Sequence, residues 1–208
     1  MEKMTIQYIK EQLRKELPGE EAHVEMSPIG GGRSSIEIQK VNHYKESAVA
    51  MVIFQQQDEL QCVLMQRNQY LGVHSGQVCF PGGKREDIDS DLKQTALRET
   101  IEEIGLELNA FEWLGDLTPV FIPVSGHHVQ PYVFFYHETP TFYPDEREVA
   151  EVITFPLIDL FSDHTIQSTT IKLSNNRTLN NVPYYAIREK IVWGATALIL
   201  HEFKNALL

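Results

Sequence analysis

Glu99, Glu102 and Glu103 stand three and four residues apart in the run Arg98-Glu99-Thr100-Ile101-Glu102-Glu103-Ile104-Gly105-Leu106. At about 3.6 residues per turn, a helix places all three carboxylates on one face. Leu97, Ile101 and Ile104 follow the same period on the opposite face, with Thr100 among them. One side of such a helix can be buried while the other carries three like charges. Like charges at this spacing destabilise an isolated helix. The pattern therefore reads either as a solvated acidic surface or as a site for a hard divalent cation, since Mg²⁺ and Mn²⁺ favour carboxylate and water ligands.

The elements that must position these carboxylates are legible on both sides. Val78 and Phe80 form a short strand that ends in the sharp turn Pro81-Gly82-Gly83 just before the helix. Upstream, residues 48–54 are a continuous apolar run, as in a strand buried on both faces. Residues 60–66 alternate as a second strand, and the two are expected to pair as a hairpin. Downstream, residues 113–121, 129–137 and 149–155 read as strands, and 156–161 as a short helix with proline at its start. Residues 166–173 and 183–187 suit a late hairpin, and 191–207 is apolar at helical spacing. At the other end, residues 4–17 read as an amphipathic helix carrying Ile6, Ile9, Leu13 and Leu17, stopped by Pro18-Gly19. Gly30-Gly31-Gly32 reads as a flexible connector or, less simply, as a phosphate nest. This order of elements predicts a mixed sheet between helices. The organisation expected is an N-terminal helix and connector over 1–46 and the main domain over 47–208.

Composition narrows the function. The chain has 208 residues, 42% hydrophobic and 23% charged, with a formal charge of −11. Such acidity disfavours binding to a nucleic-acid backbone, which is met by a basic footprint, but leaves room for a phosphorylated small molecule met through a metal. Cys62 and Cys79 lie in apolar segments without metal-type spacing and read as reduced thiols, which suits a cytoplasmic setting. No apolar run approaches a membrane span, and the first residues lack the apolar core of a signal peptide.

The motif helix resembles the signature of the Nudix hydrolases, in which Arg-Glu, two residues, Glu-Glu, one residue and Gly-aliphatic follow a glycine loop. Arg98, Glu99, Glu102, Glu103, Gly105 and Leu106 match in register. Three positions depart from it: Gly83 lies one residue farther from Arg98, the Asp-rich segment Asp87, Asp89, Asp91 replaces an isolated glutamate, and Thr100 replaces an aliphatic. The resemblance implies an α/β/α sandwich with a mixed β-sheet and, here, an N-terminal helical arm. It implies that Glu99, Glu102 and Glu103 hold Mg²⁺ or Mn²⁺, with the Gly82 or Gly83 carbonyl as a further ligand, and that Arg98 orients the glutamates.

A narrower resemblance surrounds the motif. Leu64, Arg67, Leu71, Gly76, Val78, Phe80, Pro81, Gly82 and Gly83 stand at the spacing of the segment that marks coenzyme A pyrophosphatases. Gly126, Val129, Pro131, Glu148-Val149, Pro156-Leu157 and residues 192–197 are similar to that subgroup too. The activity implied is cleavage of coenzyme A or its derivatives to 4′-phosphopantetheine and adenosine 3′,5′-bisphosphate. The alternatives are another nucleoside diphosphate derivative, such as ADP-ribose or a dinucleotide, and a module that senses a nucleotide without cleaving it. Glu148 is the first choice for general base, with Glu146 and Glu151 as competitors. Arg67, Gly82 and Gly83 are expected at the substrate. His127-His128 reads as a solvated turn or a substrate contact, with metal binding as the alternative, and Trp193 as core. Asn68 and Gly72 depart from the subgroup, which carries serine and arginine there. The missing arginine predicts weak discrimination between coenzyme A and its dephospho form, with Arg33 or Arg67 as rival phosphate ligands. No nucleic acid or membrane partner is expected, and a homodimer is compatible with the reading.

Overall fold

In the computed structural model, residues 4–28, 33–162, 164–173 and 177–208 are described. The triple glycine lies outside them. Three short helices come first: α1 (Ile6–Gln12), α2 (Glu20–Glu25) and α3 (Ser34–Ile38). Strands β1 (Lys45–Gln56), β2 (Glu59–Arg67), β3 (Val78–Cys79) and β4 (Gly82–Lys84) lead into α4 (Leu92–Ile104). Strands β5 (Phe111–Asp116), β6 (Val120–Ile122), β7 (His127–Tyr136) and β8 (Val149–Pro156) follow. The chain closes with β9 (Ile166–Lys172), β10 (Thr178–Ile187), β11 (Lys190–Val192) and α5 (Ala195–Ala206).

The expected hairpin forms only at its closed end, where Ile53 to Gln56 of β1 pair with Cys62 to Glu59 of β2. Beyond that point the two strands part. β3 bonds to Met65 and Gln66 of β2, β4 bonds to Ser47, Ala48 and Val49 of β1, and the Ala50 N–H donates to the Pro81 carbonyl at 2.9 Å. The Pro-Gly-Gly turn therefore fills the fork between them. On its other edge β1 runs parallel to β7, and β8 runs antiparallel to β2, which makes the sheet mixed. Along β1 the side chains alternate: Ala48, Ala50 and Val52 pack with Ala96 and Ile104 of α4, while Met51 and Ile53 share a second cluster with Leu200 and Phe203 of α5. Small residues on the first face let α4 come close. The result is the α/β/α layering of a Nudix fold.

Several boundaries differ from the sequence reading. The first helix ends at Gln12, and α2 and α3 follow it, because the anchors of this arm are tertiary. Ile9, Leu13 and Met26 join the α5-side core. A Cβ on Gly115 would lie 2.7 Å from that of Leu13, so a glycine there lets α1 pack on β5. In α2, His23 reaches the fully buried Glu202 of α5 at 3.0 Å, and Glu202 also accepts the Thr118 N–H. Residues 113–121 divide into β5 and β6, and both pair with β7. His127 and His128 open β7 instead of forming a turn. The last helix starts only at Ala195, since Val192 completes β11 and Gly194 turns the chain with φ 64°. Both cysteines are free thiols. Among the described residues, no helix is long and apolar enough to cross a membrane.

Candidate functional site

Helix α4 begins where the Asp91 side chain accepts the Gln94 N–H at 2.8 Å, and it ends at Gly105 with φ 72°. Its three glutamates are not equivalent. Glu103 is 3% exposed, accepts the Gly82 N–H at 2.7 Å, and lies 3.5 Å from Arg67. Glu99 is half-buried, with its carboxylate against Gly83: a Cβ on that glycine would lie 2.4 Å from the Glu99 Cδ. Glu102 has 60% of its side chain exposed. The expected split into an apolar buried face and an acidic outer face is thus corrected. The helix buries Thr95, Ala96, Thr100, Glu103 and Ile104, while Leu97 and Ile101 are only partly covered. The turn in the β1–β2 fork presents a backbone donor, so a carboxylate can occupy a position that otherwise demands an apolar group. Thr100 is tolerated inside because its hydroxyl donates to the Ala96 carbonyl at 2.6 Å.

Arg98 organises the outer part. Its Nη1 lies 3.0 Å from Glu99 and 3.3 Å from Glu102. The guanidinium is itself fixed by a two-pronged bond to Asp89, at 2.9 and 3.0 Å, and by the Lys84 carbonyl at 3.2 Å. Asp89 is 4% exposed and also accepts from Thr95 Oγ1 and the Glu86 N–H. Hydrogen bonds from Arg98 hold the Asp89 carboxyl well below the usual carboxylate range. The sequence marked the Asp-rich segment but not which aspartate acts: Asp87 is exposed, Asp91 caps the helix, and Asp89 holds the arginine. Asp89→Asn leaves a nearly buried guanidinium without its carboxylate and is expected to cost about 2–3 kcal/mol. A depressed carboxyl contributes its stability above the unfolded value, near 4, and loses it as pH falls toward the lowered folded value. Urea unfolding should therefore show the full wild-type advantage at pH 7 and a smaller one at pH 3.

Burial pushes the Glu103 carboxyl up to about 8, against the lowering effect of the Gly82 N–H and Arg67, and the charges of Glu99 and Glu148 add to the rise. Burial raises Glu99 as well, opposed by Arg98 and reinforced by Glu102 and Glu148. Glu148 is exposed on the loop before β8, and its charge faces both glutamates. Asn68 holds that loop, its N–H donating to the Glu148 carbonyl and its side chain to the Glu146 carbonyl. Glu151 is engaged 2.7 Å from Lys190. As the side chains stand, no three metal-binding groups converge among the described residues, because Glu103 is turned to Gly82 and Glu102 to Arg98. The donor set nevertheless suits a hard cation. It is all oxygen, carries more negative charge than Arg67 and Arg98 offset, and includes the notch at Gly83 that a Cβ would fill.

A cleft of about 1200 Å³ adjoins the turn, with Arg67, Gly82 and Gly83 in its wall. Gly72 lines it too, as does His127, whose Nδ1 is hydrogen-bonded to Ser47 at 2.6 Å. Trp193 is only partly buried, at the wall of this cleft, and not part of the core as expected, because β11 ends at Val192 and Gly194 redirects the chain.

The family model of the NUDIX domain matches residues 44–174. The uncharacterized Nudix hydrolase NudL of Pectobacterium atrosepticum is 35% identical over 140 residues, covering 67% of this chain and 71% of that protein. NudL of Yersinia pestis is 35% identical over 141 residues, covering 67% and 69%. Among solved structures, a MutT NUDIX hydrolase from Burkholderia pseudomallei is similar with TM-score 0.49 and 15% identity, covering 77% of this chain and 98% of that one. The NUDIX domain of Shewanella oneidensis NrtR complexed with ADP ribose is similar with TM-score 0.45 and 18% identity, covering 59% and 79%.

Proposed function

The chain belongs to the Nudix family, and from that membership we propose that it hydrolyses the diphosphate of coenzyme A or a close derivative. Nudix hydrolases act on nucleoside diphosphate derivatives and generally use divalent ions such as Mg²⁺ or Mn²⁺. The observation that carries the finer reading is where the subgroup-like segment falls. Arg67, Gly76, Val78, Phe80, Pro81, Gly82 and Gly83 run from the end of β2 through the fork, and most of them line the cleft beside buried Glu103.

In this reading Glu99, Glu102 and Glu103, with the Gly83 carbonyl, would hold the Mg²⁺ or Mn²⁺. Such an ion, when bound, neutralises diphosphate charge and makes a water acidic enough to act as nucleophile at neutral pH. The chain's own residues do the rest. Asp89 fixes Arg98, and Arg98 holds Glu99 and Glu102 in orientation. Arg67 restrains Glu103 from the cleft side and offers its guanidinium to a phosphate oxygen. The Gly82 N–H keeps Glu103 in place. Glu148, close enough for its charge to bear on Glu99 and Glu103, takes the proton from the attacking water. The division into an N-terminal arm over 1–46 and a domain over 47–208 is part of the same proposal, and the described residues of the arm pack on the domain through Ile9, Leu13 and Met26.

The test is a substrate panel with Mg²⁺ and Mn²⁺ in ¹⁸O-water, read by product mass. Coenzyme A should yield 4′-phosphopantetheine and adenosine 3′,5′-bisphosphate, with one label in one of the two. Faster cleavage of ADP-ribose or a dinucleotide would move the substrate within the same enzyme class. Binding without any product would favour a sensor.

A further inference from the structure

We propose that the end of the cleft at the N-terminal ends of β1 and β7 is a subsite for a phosphomonoester that the substrate carries in addition to its diphosphate, with Lys45 and Lys84 as its cationic groups and the His127 imidazole as a hydrogen-bonding partner. The inference rests on the reading that this cleft receives a nucleoside diphosphate derivative.

The strand register builds the subsite. Lys45 and His127 are direct partners across the parallel β1–β7 pair, and Lys84 is the partner of Ser47 across β1–β4. Residues directly opposite one another share a face of the sheet, and alternate residues along a strand share it too. Lys45, Ser47 and His127 therefore stand together in the cleft lining, with Lys84 beside them on the same face of the sheet, and the hydrogen bond between Ser47 and His127 at 2.6 Å fixes the imidazole. Lys45 and Lys84 form no ion pair among the described residues. The adjacent Glu46 lies on the other face and is taken by Arg85 at 2.9 Å.

Charge and hydrogen bonding point to an anion. The chain carries 29 acidic residues against 18 basic ones, yet the described cleft lining holds Lys45, Arg67 and Lys172 and no aspartate or glutamate. Lys45, His74, Lys84 and Arg67 bear on His127 strongly enough to lower its basicity, after the larger effect of burial. Two residues before His127, the buried Ser125 hydroxyl lines the same cleft without a hydrogen-bond partner among the described residues. It leaves an unsatisfied donor in the wall of the proposed subsite. Val49, the partner of Gly82, is two and four residues along β1 from Ser47 and Lys45, or about 7–14 Å at strand spacing. A diphosphate at the turn and a second phosphate at this end of the cleft are then a nucleoside apart. Arg33 is not in the described lining. These lysines supply the positive charge missing at Gly72, so the strong discrimination proposed here stands against the weak discrimination read from that glycine.

The test compares coenzyme A with dephospho-coenzyme A, which differ only in the 3′-phosphomonoester, and measures adenosine 3′,5′-bisphosphate against AMP by calorimetry. Wild-type kcat/KM is expected to favour coenzyme A at least tenfold, mainly through KM, with the preference falling as salt rises. Lys45→Ala should reduce the ratio about fivefold, as loss of a solvent-accessible ion pair would, His127→Gln should reduce it through the lost imidazole hydrogen bond, and Lys45→Arg should retain it. Lys45 is exposed at a strand start, so its variants are expected to fold. Equal wild-type turnover of both compounds would overturn the subsite while leaving the diphosphatase reading in place. A preference untouched by Lys45→Ala and His127→Gln would overturn it as well. Preferential binding of the bisphosphate, lost in the variants, with neither compound cleaved, would support the subsite and remove the diphosphatase.

Discussion

Glu102→Gln is expected to lower kcat by about a thousandfold, roughly 4 kcal/mol of barrier, while leaving the fold in place. The two halves of that expectation have separate physical causes. Glu102 is the exposed member of the three glutamates, and its one ion pair among the described residues, with Arg98, is long. Removing an exposed charge changes stability by less than about 1 kcal/mol, and here it also relieves repulsion from Glu99. Its charge, by contrast, is one of three expected to hold the cation. The variant should therefore bind Mn²⁺ more weakly by calorimetry as well as turn over slowly, and its urea midpoint should stay near that of wild type. A chelator should abolish wild-type turnover, and added Mg²⁺ or Mn²⁺ should restore it. Near-normal kcat at saturating metal would remove Glu102 from the ligand set.

The two neighbouring glycines of the turn should separate stability from activity. Gly82→Ala would place a Cβ 2.3 Å from the Ala48 carbonyl and 2.6 Å from the Val49 Cα, at φ 148°. Both obstacles are backbone within the sheet and cannot rotate away. The expected cost is about 3 kcal/mol or more, seen as a large drop in the urea midpoint. Gly83→Ala meets instead the Glu99 carboxylate, the far end of a flexible side chain, and its φ is unremarkable. The chain should fold with nearly its normal stability, but Glu99 must swing away from the turn. Displacing a catalytic group by about 1 Å costs on the order of a hundredfold in rate. Stable and fully active Gly83→Ala would show that the Glu99 position against the turn is not the working one.

What the chain's sequence determined by itself lies in its local periods. The 3.6-residue spacing of Glu99, Glu102 and Glu103, the apolar run of β1, the Pro-Gly-Gly turn and the match of Arg98 through Leu106 to a family motif all depend on residues near one another. They were enough to indicate the family, the layered fold and the residues expected at the metal. What only the tertiary structure decided depends on partners far apart in the chain. A helical period says which side chains share a face, but not what packs against that face. The burial of Glu103 needs a donor from the fork between β1 and β2, and the coverage of α1 and α2 needs β5 and α5. Trp193 reads as core until a turn at Gly194 leaves it at a cleft. The role of Asp89 required the loop before α4 to fold back onto Arg98. The cationic end of the cleft required β1 and β7 to lie side by side, bringing Ser47 and His127 together across 80 residues of sequence. Each of these is a pairing made by packing, and packing is settled by the whole set of contacts at once, not by the local pattern of any one segment.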